Sequence, residues 1–300
     1  MALQFLHPHI ETVVTDSSNI VETSTQNGTV LFQPFISDKG VDNKIVRYTS
    51  KSEFINANGN PNFKKHGQSI YNIVNWLENG GQVLGIRLMP EDAALANTVL
   101  NIKTKVNDVA HTISVYTEMV SIEDAVDTKT LIGKMSDITV FPATDSDGFK
   151  NFPLFAFYTP GRGDYGNTYS IRMNYNYSER GTYTLSILST DEKGIVRELE
   201  GPYVVSANPE ATNTNGTSMF IKNVMDGYSK VLNAHFNEAA YDLLLAELTP
   251  YLPEGTLAEE IDFLFARDLE LQEYEKIKLD DGRTNTKKEK FEGVRLAGGK

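Results

Sequence analysis

Residues 69–88 read Ser69-Ile70-Tyr71-Asn72-Ile73-Val74-Asn75-Trp76-Leu77-Glu78-Asn79-Gly80-Gly81-Gln82-Val83-Leu84-Gly85-Ile86-Arg87-Leu88. Ile70, Ile73, Val74 and Leu77 recur at i, i+3, i+4 and i+7, which gives a helix one apolar face. Gly80-Gly81 tolerates the left-handed conformation that ends a helix, so the pattern predicts a stop there and a strand over Val83 to Leu88. Upstream, Thr29 to Phe32 and Lys44 to Tyr48 read as strands. A short helix from Ser50 to Ala57 ends at the turn Asn58-Gly59-Asn60-Pro61. Downstream, Pro90 with Glu91 and Asp92 has the composition of a helix start, because the N-terminal end of the macrodipole favours negative charge. Residues 27–103 therefore read as an α/β core unit.

Beyond residue 103 the period changes to two. Tyr169, Ile171, Met173, Tyr175 and Tyr177 alternate with Ser170, Arg172, Asn174 and Asn176, a turn follows at Ser178 to Gly181, and Tyr183, Leu185 and Ile187 continue the alternation. This predicts an antiparallel pair within a β-rich inserted domain at 104–207, with further strands in Thr104 to Thr117. Residues 208–290 read as a helical segment and insertion. Phe220, Ile221, Val224 and Met225 share one helical face, and Phe236, Ala240, Leu243 and Leu244 a second. Thr256 and Glu259 form a capping box for a third helix, and Asp280 to Lys290 is an exposed charged loop. Residues 291–300 return toward the core. The fold class is α+β and multidomain, preceded by an extended N-terminal arm at 1–26. In that arm Ile10, Glu11, Thr12, Val13, Val14 and Thr15 form a β-prone run with no strand partner at hairpin spacing, either a frayed terminus or a strand that pairs outside its own domain.

The chain has 300 residues, 40% apolar and 23% charged, enough for two or three compact units with buried cores. A net charge of −12 argues against a nucleic-acid partner, which needs clustered Lys and Arg to displace counterions. Cysteine is absent, which excludes disulfides, thiolate zinc sites and a cysteine nucleophile. No apolar run approaches the roughly 20 residues of a membrane span, and the first residues lack a signal-peptide pattern, so no membrane insertion and no export by that route are expected.

Gly161-Arg162-Gly163-Asp164-Tyr165-Gly166 matches the G-x-G-x-x-G spacing of dinucleotide loops. That chemistry requires a strand before and a helix N-terminus after it, and here a strand follows, so the stretch reads as a loop shaping a β-domain. The enclosed Arg162-Gly163-Asp164 reads as part of the same loop. His7, His9, His66, His111 and His235 offer one close pair and no third zinc ligand, and read as satisfied surface histidines. Asp145-Ser146-Asp147-Gly148 hints at calcium but lacks the downstream acidic ligand and reads as a turn. Trp76 and Tyr71 lie on the helix of the opening stretch, where packing is the expected role. No hydrolase or nucleotide motif appears, no catalytic residue is nominated, and no cofactor is expected.

Three passages, in order, resemble the contractile-tail sheath proteins of bacteriophages. Ser52-Glu53-Phe54, then Gly67 to Asn72, then Trp76 to Val83 with Arg87 resembles that family's helix, glycine turn and strand ending in a basic residue. Pro160 to Asn167 resembles its G-x-W-G-N-like loop, with Tyr165 at the usual tryptophan. Glu200-Gly201-Pro202-Tyr203-Val204-Val205 followed by Ser218 to Ser229 resembles its linker and short-helix passage. The likeness spans residues 1–233, and 235–290 resembles a lineage-specific insertion. The resemblance implies a non-enzymatic homo-oligomer of sheath subunits, stacked in helical rings around a tail tube protein. It also implies baseplate and tail terminator partners, assembly in the host cytoplasm, residence in the virion tail, and exchange of strand 10–15 between subunits. Members of the family continue past a glycine-rich passage like Leu296 to Gly299, so the chain is expected to be an N-terminal part. The alternative is another virion or baseplate component, or a receptor-binding module.

Overall fold

The computed structural model describes residues 30–109, 112–176, 178–179, 181–251, 274–278, 284–288 and 294–300. It is a mixed α+β fold with several sheets, most of their pairings antiparallel. The third expected helix, opened by Thr256, and the run Ile10 to Thr15 lie outside the described residues.

The opening stretch folds as its periodicity predicts. Strands β1 (Val30–Phe35) and β2 (Ile45–Tyr48) precede helices α1 (Lys51–Asn58), α2 (Phe63–His66) and α3 (Ser69–Glu78), and strand β3 (Gln82–Arg87) follows. The Ser50 side chain accepts from Glu53 N and starts α1. On α3, Ile70, Ile73, Val74 and Leu77 are buried against Phe35, Tyr48, Phe54 and Val83, a compact apolar cluster. Gly80 ends α3 at φ +80°, and a Cβ on Gly81 would lie 2.3 Å from the Trp76 indole. The strand order is β1-β3-β2, with β1 parallel and β2 antiparallel to β3.

Pro90-Glu91-Asp92 starts no helix. It makes a single turn, after which Ala93, Ala94, Leu95 and Ala96 are buried and lead straight into β4 (Asn97–Asn107). Non-local pairing overrides the local signal: Ala94 N donates to Lys300 O, Leu95 N to Ala125 O, and Thr159 N to Ala96 O. The expected domain boundary between residues 103 and 104 falls inside β4.

After β4 come β5 (Thr112–Val120), α4 (Thr128–Met135), β6 (Lys150–Tyr158), a 3-10 turn at Asp164–Thr168, β7 (Tyr169–Tyr175), β8 (Tyr183–Thr190) and β9 (Val196–Val205). Then follow α5 (Ile221–Tyr228), β10 (Asn233–Phe236), α6 (Glu238–Leu248), β11 (Tyr274–Lys278), β12 (Thr284–Lys288) and β13 (Val294–Arg295). They build two four-stranded sheets, β10-β6-β4-β5 and β13-β7-β8-β9, which share one apolar core that includes Leu100, Phe155, Ile171 and Ile187. The other face of β4 and β6 packs on α4 through Val99, Ala156, Leu131 and Met135. Pro153 sits in β6 opposite the register shift at Leu100/Asn101, where its missing N–H is tolerated.

Two local readings are corrected. Phe236 closes β10 instead of starting a helical face, because the Asn237 side chain caps Ala240 N and fixes the start of α6 at Glu238; Leu243 is exposed. Residues 284–288, read as charged loop, form β12 paired with β11, as alternating Thr284 and Thr286 permit.

Candidate functional site: the outer face of the three-stranded sheet

Alternation in β1, β2 and β3 divides their side chains between two faces. Leu31, Phe35, Val46, Tyr48 and Val83 face the helices. The opposite parity forms rows across the sheet: Phe32 beside Leu84 beside Arg47, and Pro34 beside Ile86 beside Ile45. Among the described residues no helix covers this second face. Phe32 is 55% and Ile45 60% exposed, and Val30, Ile36 and Leu88 extend the apolar surface. An exposed apolar patch of this kind is typical of an association surface. Both outer strands, β1 and β2, also leave one edge unpaired among the described residues, presenting main-chain groups to a further strand. Pro34 removes one donor from the β1 edge, and Arg47 donates to Gln82 Oε1 at 2.6 Å across the face.

The sequence offered a signal for this surface: β1 and β3 carry apolar residues at both parities, which a half-buried strand does not need. The strand-exchange residues Ile10, Glu11, Thr12, Val13, Val14 and Thr15 lie outside the described residues.

The glycine loop is filled by protein. A Cβ on Gly161 would lie 1.9 Å from Gly40 O, and one on Gly166 2.4 Å from the Thr159 methyl. A five-residue 3-10 turn and then β7 follow, so no α-helix N-terminus faces the loop. Arg162 is bound to Asp42, Nε to Oδ2 at 2.7 Å, and its side chain is only 11% exposed, so the Arg-Gly-Asp tripeptide is not displayed. At Asp145, Oδ1 accepts from Asp147 N and Phe149 N while Lys103 Nζ lies 3.4 Å from Oδ2, so an ammonium occupies the cation position. The Phe149 N–H foremost, then the Asp147 N–H and the Lys103 ammonium, hold the Asp145 carboxyl below the usual range against the desolvation that raises it. Among the described residues no cluster of three or more potential metal ligands occurs.

His66, read as a surface histidine, is buried. Its Nδ1 accepts from Asn62 N at 3.1 Å and its Nε2 faces Asp38 Oδ1 at 3.0 Å. His235, half-buried in β10, has its pKa lowered by burial and then by Lys222. His7, His9 and His111 lie outside the described residues.

Two of the passages that carry the family resemblance meet in space. Arg87 of the first touches the loop of the second, donating to Arg162 O at 2.8 Å. Within the third, Glu200 accepts from Ser229 Oγ at 2.6 Å and from Lys230 N at 2.9 Å. Ser206 N and O bond Met219 O and Ile221 N, closing that passage on itself.

No protein-family model matches the chain, and no curated protein matches it. Among solved structures it matches a sheath tail protein from Desulfitobacterium hafniense at 12% identity, covering 73% of this chain and 39% of that one, with a TM-score of 0.27. It also matches a sheath tail protein from Listeria innocua at 12% identity, covering 86% of this chain and 53% of that one, with a TM-score of 0.28. The chain thus spans about two fifths and about half of the lengths of these two.

Proposed function

We propose that the chain is a structural subunit of a phage contractile-tail sheath. Subunits polymerise as helically stacked rings around a tail tube and shorten by repacking rigid units, without nucleotide or cofactor. The observation that carries this reading is the apolar face formed by Phe32, Ile45, Leu84 and Ile86, which no described helix covers, on a sheet with two edges left open among the described residues. A monomeric protein keeps such surface small; an assembly subunit buries it against its neighbours. The sequence passages supply the identity of the assembly. In this reading residues 10–15 add a strand to another subunit, since main-chain bonding to an edge needs no particular side chain.

The test is assembly of the parent protein in the presence of its tube, imaged by electron microscopy, for wild type, Phe32→Glu and a deletion of residues 1–20. Both variants are expected to stay soluble and folded while failing to build an extended sheath. Normal sheaths from both variants exclude this face and this arm as assembly elements.

A further inference from the structure

The two parts of the molecule have separate cores. Among the described residues, the cluster around α3 shares no member with the clusters that fill the two larger sheets. Shared apolar burial is a usual source of cooperativity between neighbouring units, and among the described residues these clusters have no residue in common. Among the described residues, a set of polar contacts joins them. Arg87, at the end of β3, is 1% exposed. Its Nε and Nη2 donate to Ser37 O at 3.4 and 3.2 Å, and Nη1 donates to Gly40 O at 3.0 Å. The same Nη1 reaches Arg162 O at 2.8 Å, in the loop after β6. The guanidinium also lies over the Tyr165 ring, 5.8 Å from its centroid. Arg162 answers from the other side, its N and Nε donating to Asp42 at 2.9 and 2.7 Å. The loop itself is bound to the larger part through Gly163 N to Ala94 O.

We infer that Arg87 is a positioning residue that clasps the unit of residues 30–89 to the larger β core, so that the two fold and move as one body. Only arginine suits the place, because its planar fork reaches carbonyls in several directions at once while an ammonium is a point donor. Removing it leaves the carbonyls of Ser37, Gly40 and Arg162 short of donors and takes away the bond to Arg162 O and the contact with Tyr165, so that the Arg162–Asp42 pair is left to hold the units, while both apolar clusters stay intact. The inference goes beyond the sheath proposal and stands without it.

Trp76, the chain's single tryptophan, lies on α3 and reports the smaller unit, whereas far-ultraviolet circular dichroism sums over helices and strands throughout the chain, most of which lie in the larger part. Urea unfolding of the 300-residue chain, followed by both probes, is the test. The wild type is expected to give coincident transitions. In Arg87→Met the Trp76 transition is expected to come first, its midpoint lower by about 0.5 M urea or more. Ile187→Val, a lesion in the core of the larger sheets, should shift both probes together, as a purely structural loss does. If Arg87→Met is not recovered folded, Arg87→Lys and Asp42→Asn are read in the same way, with separated transitions expected. Coincident transitions in the recovered clasp variants, or separate ones in the wild type, overturn the inference.

Discussion

At Gly161 the structure has no room for a methyl group, because the obstacle is the backbone oxygen of Gly40 at 1.9 Å and not a movable side-chain end. Gly161→Ala is therefore expected to destabilise the chain by about 2 kcal/mol or more, as overpacking does. Gly133 is the contrast. It is exposed, lies within α4, and a Cβ there meets nothing within 4 Å. Gly133→Ala should raise stability by about 0.5–1 kcal/mol through reduced backbone entropy of the unfolded chain. Urea denaturation of the two variants beside wild type checks both signs. The glycine spacing at 161–166 was visible in the sequence, and so was the absence of a following helix. The partner that demands each glycine was not, since Gly40 and Gly161 are far apart along the chain.

Among the elements, α4 shows how one side chain sets a helix start. Asp127 accepts from Thr130 N at 2.7 Å, and this N–H, ahead of any charge, holds its carboxyl below the usual aspartate range. A carboxyl whose pKa is depressed in the folded state contributes fully above its unfolded value and loses that contribution as pH falls through the folded value. Asp127→Ala should thus cost about 1 kcal/mol near neutral pH. The cost should shrink as the pH is lowered from about 5 to about 2. Parallel denaturation series across that range measure it, and a cost independent of pH would count against the charged cap. Other elements hide their surroundings. Phe152-Pro153-Leu154-Phe155-Ala156-Phe157 in β6 shows no alternation because both of its faces are buried.

For the molecule as a whole, β11 and β12 form a two-stranded sheet that pairs with no other described strand. Replacing residues 255–290 by a flexible Gly/Ser linker of about eight residues should shift the stability of the remaining structure by no more than about 1 kcal/mol, the scale of a loop-length change. Circular dichroism on the replaced chain measures this. A collapse of the larger sheets' transition would mean that the replaced segment belongs to their core. Such independence fits an insertion, whereas β13, which follows at once, pairs with β7 and is continued by Leu296 N to Tyr169 O.

The amino-acid sequence alone determined α3, α5 and the β7–β8 pair. Their signals, apolar residues at helical spacing ended by Gly80 and strict alternation around a turn, are local, and local periodicity is enough when one face is buried and the other is not. Tertiary structure decided the rest. Ala93 to Ala96 run extended because their main-chain groups pair with Lys300, Ala125 and Thr159, which outweighs the helix signal of Pro90-Glu91-Asp92. Arg87 binds carbonyls from loops 50 and 75 residues away. The outer face of β1, β2 and β3 is apolar in the sequence, but that no described helix covers it follows only from where the helices pack. Partners distant along the chain leave no periodic trace, so pairing, burial and the clasp become visible only once the chain is folded.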